Sequence, residues 1–115
     1  MQIERIGAGQ RMSKASCTDA LVFTCGEVAT DKTKSAFGQT EEILAALDRS
    51  LHQAGTHKGR LLSATVWLAD IGDFAEMNRA WDAWIEPGNA PARATVEARL
   101  VSADAKVEIA VVALR

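Results

Sequence analysis

Cysteine and histidine are scarce in this chain of 115 residues. Cys17 and Cys25 are the only two cysteines and show no Cys-x-x-Cys spacing, and the two histidines, His52 and His57, lie well apart from them. A structural zinc site needs closely spaced ligands, and a disulfide framework needs a larger set of paired cysteines. We therefore expect free thiols, solvated histidines and no metal.

The chain also lacks a basic excess and any long apolar run. Lys and Arg number 13 against 15 Asp and Glu, which gives a formal net charge of -2 and a pI near 5.6. A nucleic-acid-binding surface needs a concentrated basic stripe, so we expect no nucleic-acid partner. No stretch approaches the roughly 20 apolar residues that span a bilayer, and the N-terminus has no apolar signal core, so we expect a cytoplasmic protein without a membrane partner.

What the chain does contain is material for one hydrophobic core. Hydrophobic residues make up 48% of the sequence and charged residues 24%, so we expect a single domain over residues 1–115. Alternating or apolar runs between turn signals predict strands. The predicted strands cover residues 3–6, 12–17, 20–25, 61–69, 93–100 and 106–114.

Helical periodicity predicts two helices. The first runs from Phe37 to Ala54, with Ser35 as N-cap and Gly55 as the stop. Its apolar stripe contains Thr40, Leu44, Leu47 and Leu51, and Gln39 and Glu42 point mostly away from it. The second begins at Phe74 after a cap at Asp70 or Asp73 and ends before Pro87-Gly88.

The order β-β-β-α-β-α-β-β indicates an α+β domain whose two helices cover one face of a mixed or antiparallel sheet. Strand 61–69 nevertheless carries apolar residues on both faces, and strand 106–114 nearly does. Alternation puts Leu62, Ala64, Val66 and Leu68 on one face of strand 61–69, and Leu61, Trp67 and Ala69 on the other. A bare apolar face is unusual for a monomer, so we expect this face to be buried against further copies of the chain.

Two charges lie on predicted strands near the C-terminus. In strand 93–100, Arg93, Thr95, Glu97 and Arg99 alternate with Ala94, Val96, Ala98 and Leu100, which we expect to form the core side. Glu108 opens the most apolar segment of the chain. Charged side chains are rarely buried without a partner, so Arg93 either forms a structural ion pair with Glu97 or Glu108, or lines a polar cleft. The residue pattern leaves both interpretations open.

Several separated motifs of this chain resemble the Rid family, the reactive intermediate deaminases also called YjgF or L-PSP proteins. The motifs are Val22-Phe23-Thr24-Cys25-Gly26, Thr65-Val66-Trp67-Leu68-Ala69-Asp70, Phe74-Ala75-Glu76-Met77-Asn78-Arg79-Ala80-Trp81, Pro91-Ala92-Arg93-Ala94-Thr95-Val96-Glu97 and Lys106-Val107-Glu108-Ile109. The resemblance implies a chorismate-mutase-like α+β fold with a mixed six-stranded sheet and two helices on one face. It also implies a homotrimer with three clefts between subunits.

The resemblance further implies hydrolysis of small enamines and imines, such as 2-aminoacrylate, to 2-keto acids and ammonia without a cofactor. Carried over to this sequence, it makes Arg93 the anchor of the substrate carboxylate and Glu108 the residue that activates water. Gly26 would donate its backbone N–H to the same carboxylate. The remaining substrate-binding residues would be Cys25, Thr95 and Asn78.

One departure from the family pattern bears on turnover. The best-known active branch has a tyrosine in an N-terminal Gly-Pro-Tyr stretch, whereas this chain contains no tyrosine and has Gln10-Arg11-Met12-Ser13-Lys14 there. Arg11 followed by Ser13 resembles a shorter branch. Arg11 either adds a second positive group at the cleft or faces solvent.

Three functions therefore stand as hypotheses. The first is an imine hydrolase. The second is a non-catalytic trimer that binds a small carboxylate such as a keto acid. The third is an endoribonuclease or translation inhibitor, against which the acidic pI argues.

Overall fold

A computed structural model describes residues 2–115. The elements are β1 (Glu4–Ile6), β2 (Ala15–Cys17), β3 (Leu21–Thr24), α1 (Ala36–Gln53), β4 (Leu61–Leu68), α2 (Phe74–Trp84), β5 (Ala92–Glu97) and β6 (Val107–Leu114). Short 3₁₀ turns precede β4 and α2. The predicted order of elements is confirmed, and each of the six strands is shorter than predicted.

All six strands form one sheet in the order β1-β2-β3-β6-β4-β5. The pair β4–β5 is parallel, because α2 crosses over between them, and the other four pairs are antiparallel. The last strand of the chain, β6, therefore lies in the middle of the sheet. Strand β5 forms one outer edge. The mixed six-stranded sheet is as expected.

The hydrophobic core lies between one face of this sheet and the two helices. The sheet contributes alternate residues of its central strands, among them Val66, Ile109 and Val111, and the helices contribute Leu47 and Met77. Each of these side chains is almost fully buried. Since alternate strand residues supply the core, the intervening residues of β4 and β6 face the opposite side.

Helix α1 begins and ends as predicted. The Ser35 hydroxyl accepts a hydrogen bond from the Gly38 N–H at 3.2 Å, and Gly55 follows the last turn with a φ of 83°. A glycine tolerates this left-handed conformation, which an L side chain strains. Among the described residues, no helix is long and apolar enough to cross a bilayer.

Gln39 is an exception to the predicted helix faces. It was expected to point away from the core, but its side chain is completely buried. Its amide nitrogen donates to the carbonyls of Lys34 and Asp104, and its amide oxygen accepts from the Lys106 N–H at 2.9 Å. A buried amide with these partners fixes the segment that leads into β6, which explains why a polar residue lies there.

The predicted faces of β4 are wrong at its first two residues. A register irregularity between Leu61 and Ser63 interrupts the pairing with β6. An irregularity of this kind shifts the alternation by one residue. Leu61 is consequently buried and Leu62 is exposed, whereas Ala64, Val66 and Leu68 share one face, as expected, and that face is the core side.

The predicted faces of β5 are also reversed. Arg93 and Thr95 pair with Ala64 and Val66 of β4, whose side chains are in the core. Directly paired strand residues share a face, so Arg93 and Thr95 lie on the helix side. Ala94 and Val96, expected in the core, are exposed on the other face.

The face of the sheet that the helices leave uncovered carries many apolar side chains together with a few polar ones such as Glu108. Phe23, Leu62 and Val96 are 44–46% exposed there, and Trp67 and Val112 are half-buried. We call this surface the open face. Contiguous apolar surface of this kind marks an interaction site in most proteins, and burial against further copies remains our prediction for it.

Candidate functional site

The Arg93 guanidinium lies among aromatic side chains at the edge of the sheet. Its central carbon is 5.1 Å from the ring centre of Trp81 and 5.9 Å from that of Phe74, and one nitrogen lies 3.9 Å from the Met77 sulfur. All three neighbours belong to α2. Cations over aromatic faces are stabilised by the ring quadrupole, which here holds the guanidinium in place without a counter-ion.

Arg93 forms no ion pair with any residue from 2 to 115. Partial burial lowers the pKa of Arg93 from its usual value, and the charge of Asp82 partly opposes this effect. An arginine nevertheless stays protonated at neutral pH. The planar fork of N–H donors is therefore charged and has no carboxylate partner within this part of the chain.

Glu108 lies on the open face, next to Gly26. The position that a Cβ of Gly26 would occupy overlaps Oε2 of Glu108 and lies 3.0 Å from Cδ. The absence of a side chain at Gly26 thus provides the space in which the carboxylate sits. The Gly26 N–H forms no hydrogen bond with residues 2–115, whereas the N–H groups of Cys25 and Glu27 on either side are both paired.

Arg93 and Glu108 lie on opposite faces of the same sheet. Arg93 pairs with Ala64 in the core, whereas Glu108 pairs with Trp67 on the open face. The interpretation of Arg93 as a structural partner of Glu108 is therefore wrong. Its alternative partner, Glu97, instead accepts a hydrogen bond from the Ile71 N–H at 3.0 Å.

Cys25 belongs to a small polar cluster beside this region. Its sulfur lies 3.6 Å from Oε1 of Glu27, which also forms an ion pair of 3.0 Å with Lys14. Burial raises the pKa of the Cys25 thiol, and the nearby charge of Glu27 raises it further. A thiol held protonated in this way is a weak nucleophile.

The two other residues assigned by resemblance lie on the helix side. Asn78 is half-buried on α2, one position after Met77. Thr95 lies two positions after Arg93 on β5, and its hydroxyl is buried without a hydrogen-bond partner among the described residues. Gly26, Cys25 and Glu108 are thus brought together, whereas Arg93 and Thr95 lie together on the helix side of β5. Asn78 follows Met77, a neighbour of Arg93, on α2.

A concave region of about 500 Å³ adjoins Cys25 at the other end of the sheet. Arg5, Arg11, Ser13 and Ser16 contribute to its wall. No group of three or more potential metal-ligating side chains occurs between residues 2 and 115. Sequence reasoning overlooked Arg5 and Glu27. Two sequence features could have indicated them: Arg5 is a cation within a predicted strand, and Glu27 is a carboxylate that directly follows Cys25-Gly26.

Comparisons with known proteins agree with this architecture. The family model described as Endoribonuclease L-PSP matches residues 2–115. A RutC family protein from Haemophilus ducreyi is 44% identical over 111 residues, which cover 96% of this chain and 95% of the relative. A crystal structure of a YjgF family member from Neisseria meningitidis has a TM-score of 0.97 and 42% identity, with 100% of this chain and 96% of that chain covered.

A further relative has a name that states an activity. The 2-iminobutanoate/2-iminopropanoate deaminase of Salmonella typhimurium is 30% identical over 103 residues, which cover 84% of this chain and 80% of the relative. The resemblance to the Rid family inferred from the sequence motifs is therefore confirmed. The chain belongs to the family described as Endoribonuclease L-PSP, together with the RutC and YjgF proteins.

Proposed function

We propose that this protein hydrolyses small 2-imino acids to 2-keto acids and ammonia in clefts between the subunits of a homotrimer. The observation that carries the proposal is the unpaired guanidinium of Arg93, held by Trp81 and Phe74 at the edge of the sheet. A charged planar fork without a partner is suited to bidentate binding of a carboxylate. The deaminase name of the Salmonella relative supports the same reaction class.

The proposed cleft combines two copies of the chain. Arg93 faces the helix side of the edge strand, and Glu108 faces the open side of the central strand β6. One copy cannot direct both side chains at the same small molecule. If the edge strand of one copy approaches the open face of the next, both groups meet at the seam, and the apolar open face is buried at the same time.

In this cleft Arg93 binds the carboxylate of the imino acid, and the unpaired Gly26 N–H donates a further hydrogen bond to it. Glu108 accepts a proton from a water molecule as that water attacks the iminium carbon. The C–N bond then breaks, and the nitrogen leaves as ammonia after it receives a proton. Overall, one iminium ion and one water molecule give one keto acid and one ammonium ion. Bound in this geometry, an already electrophilic carbon needs only a positioned water and a base.

A competition assay tests the reaction directly. An amino-acid oxidase generates 2-iminopropanoate from alanine, and semicarbazide traps the part that has not been hydrolysed. We expect the wild-type protein to lower the rate of trapping, and Arg93→Ala to abolish this effect. A wild-type protein without effect would refute the hydrolase function.

Mixing variants tests the composite cleft. Neither Arg93→Ala nor Glu108→Gln alone should be active. When the two variants are co-expressed in equal amounts, about a quarter of the seams combine an intact Arg93 with an intact Glu108 from different copies, if the trimer assembles at random. Recovery of about a quarter of the wild-type activity is expected. No recovery in mixed trimers would contradict a site shared between copies.

A carboxylate-binding protein without turnover is the second candidate. The chain contains no tyrosine, although the best-known active branch of the family carries one in its N-terminal stretch. Pyruvate binding by the wild-type protein but not by Arg93→Ala, together with no effect on trapping, would favour this candidate. An RNA-cleaving activity that copurifies with the protein through successive columns would instead favour an endoribonuclease, the activity in the family's description.

A further inference from the structure

The concave region beside Cys25 concentrates positive charge without negative charge. Its volume is about 500 Å³, and its wall carries the guanidinium groups of Arg5 and Arg11 and the hydroxyl groups of Ser13 and Ser16. None of the residues that line it is an aspartate or a glutamate. A volume of several hundred Å³ is typical of small-molecule sites.

Both arginines are free of ion pairs within residues 2–115. The neighbouring Lys14 differs from them, because Glu27 binds it at 3.0 Å. The raised pKa of Cys25 also keeps that thiol neutral, so it adds no negative charge to the wall. Unpaired cations around a concavity attract anions more strongly than the same cations on a convex surface.

This cationic concavity adjoins one half of the proposed active site through Cys25. Cys25 contributes to its wall, and the next residue, Gly26, contacts the Glu108 carboxylate. A substrate whose reacting carbon lies near Glu108 can therefore extend its side chain past Cys25 toward Arg11. The partner copy's Arg93 is already assigned to the carboxylate at the reacting end, so the two arginines are available for a second anionic group.

On the basis of the proposed function, we propose that the preferred substrates are 2-imino acids with a second carboxylate in their side chain, the imines of acidic amino acids. Arg11 binds the distal carboxylate, with Arg5 and the serine hydroxyls beside it. The reaction remains the hydrolysis of an iminium ion by water to a keto acid and ammonium, and the second carboxylate takes no part in bond breaking. Arg11 and Arg5 are thus specificity residues.

The test compares two imines in the semicarbazide assay. D-amino-acid oxidase produces 2-iminopropanoate from D-alanine, and D-aspartate oxidase produces 2-iminosuccinate from D-aspartate. We expect wild-type kcat/KM to be about 10- to 100-fold higher for 2-iminosuccinate, the ratio that a charge-assisted bidentate contact supplies. Arg11→Gln should remove most of this ratio, and Arg5→Gln should reduce it less.

Arg49→Gln is the matched control. Arg49 is an exposed arginine on α1 that lines a different concavity, together with Lys14, Glu27 and Glu42. Its substitution removes one positive charge from the protein and leaves every side chain that lines the proposed site in place. The ratio between the two imines should remain at the wild-type value. An equal loss in Arg49→Gln and Arg11→Gln would mean that net charge alone steers the substrate, and the inference would be wrong.

The outcomes separate this inference from the proposed function. Hydrolysis of 2-iminopropanoate that depends on Arg93, combined with no preference for 2-iminosuccinate, would overturn the inference and leave the function intact. If neither imine is hydrolysed, calorimetric titration with oxaloacetate and with pyruvate decides the matter. Tighter binding of oxaloacetate that is lost in Arg11→Gln would support the second anionic subsite, and equal binding of the two keto acids would refute it.

Discussion

Replacement of Gly26 by alanine probes the placement of the Glu108 carboxylate. A Cβ at position 26 would overlap Oε2 of Glu108 and lie 3.0 Å from Cδ and 3.2 Å from Cγ. The backbone itself accepts alanine, because the positive-φ glycines are Gly7, Gly55 and Gly88 and do not include Gly26. The overlapped atom is the end of a flexible side chain, so we expect the carboxylate to swing away while the main chain stays in place.

The consequences for stability and activity differ widely in size. Forcing one side chain from its preferred rotamer costs about 0.5–1.5 kcal/mol, so Gly26→Ala should remain folded. A positioned general base contributes about 10²- to 10⁴-fold to a rate, and its displacement should lose most of that factor. Urea unfolding and the semicarbazide assay measure the two quantities separately.

A double-mutant cycle supplies the control. Glu108→Ala alone should reduce the rate as much as Gly26→Ala, and it removes the atoms with which the new methyl group collides. Gly26→Ala in the Glu108→Ala background should therefore cost little further activity, because the two changes act through one carboxylate. Wild-type activity in folded Gly26→Ala would refute the reasoning. A further hundredfold loss in the double variant would show that the methyl group blocks substrate directly.

Three further predictions concern the rest of the fold. Gly55 has a φ of 83°, and no atom lies within 4 Å of the place that an alanine methyl group would take. Gly55→Ala should therefore lower the free energy of unfolding by about 1–2 kcal/mol through backbone strain alone and leave kcat unchanged. Gln39→Leu removes the side-chain partners of the Lys34 and Asp104 carbonyls and of the Lys106 N–H, and should cost about 1–3 kcal/mol in urea unfolding. A loss below about 0.5 kcal/mol would contradict its structural role. Burial and, to a lesser extent, Glu27 raise the pKa of Cys25, so the pH midpoint of its alkylation in a Cys17→Ala background should lie above the ordinary 9.0. Glu27→Gln should lower this midpoint, but not below the ordinary value. An unchanged midpoint in Glu27→Gln would show that the carboxylate does not act on the thiol.

The order and type of the elements could be predicted because their signals are local. Ser35 and Gly55 bracket α1 through groups within a few residues of each helix end, and apolar runs identify β4 and β6 by themselves. The apolar open face could also be predicted from β4. This strand carries apolar side chains on both faces, and one layer of helices can bury only one of them.

The faces of the strands could not be predicted, because they depend on pairing between distant segments. Alternation separates Arg93 and Thr95 from Ala94 and Val96 but does not say which set meets the helices. The parallel register with β4 decides it, and a polar set is accepted on the helix side because Phe74 and Trp81 of α2 surround the guanidinium. The register irregularity near Leu62 could not be predicted for the same reason, because it is visible only in the pairing of β4 with β6.

The unsatisfied polar groups of this chain indicate how it is used. Within residues 2–115, the Arg93 guanidinium has no counter-ion, the Gly26 N–H is free and the buried Thr95 hydroxyl has no partner, and all three residues are ones that the family resemblance assigns to the site. Of these groups the Thr95 hydroxyl is fully buried, and an unpaired buried neutral donor or acceptor costs about 1–3 kcal/mol in an isolated chain.

Unpaired polar groups of this kind are expected at a binding site, where a bound molecule supplies the missing hydrogen bonds. A carboxylate satisfies both a guanidinium fork and a backbone N–H, because it offers two acceptor oxygens in one plane. In a single copy Arg93 and Gly26 lie in separate groups, on the edge strand β5 and beside the central strand β6. In the proposed assembly, the same carboxylate reaches both groups where two copies meet. Contact between copies would then account for the apolar open face and for the unpaired arginine together.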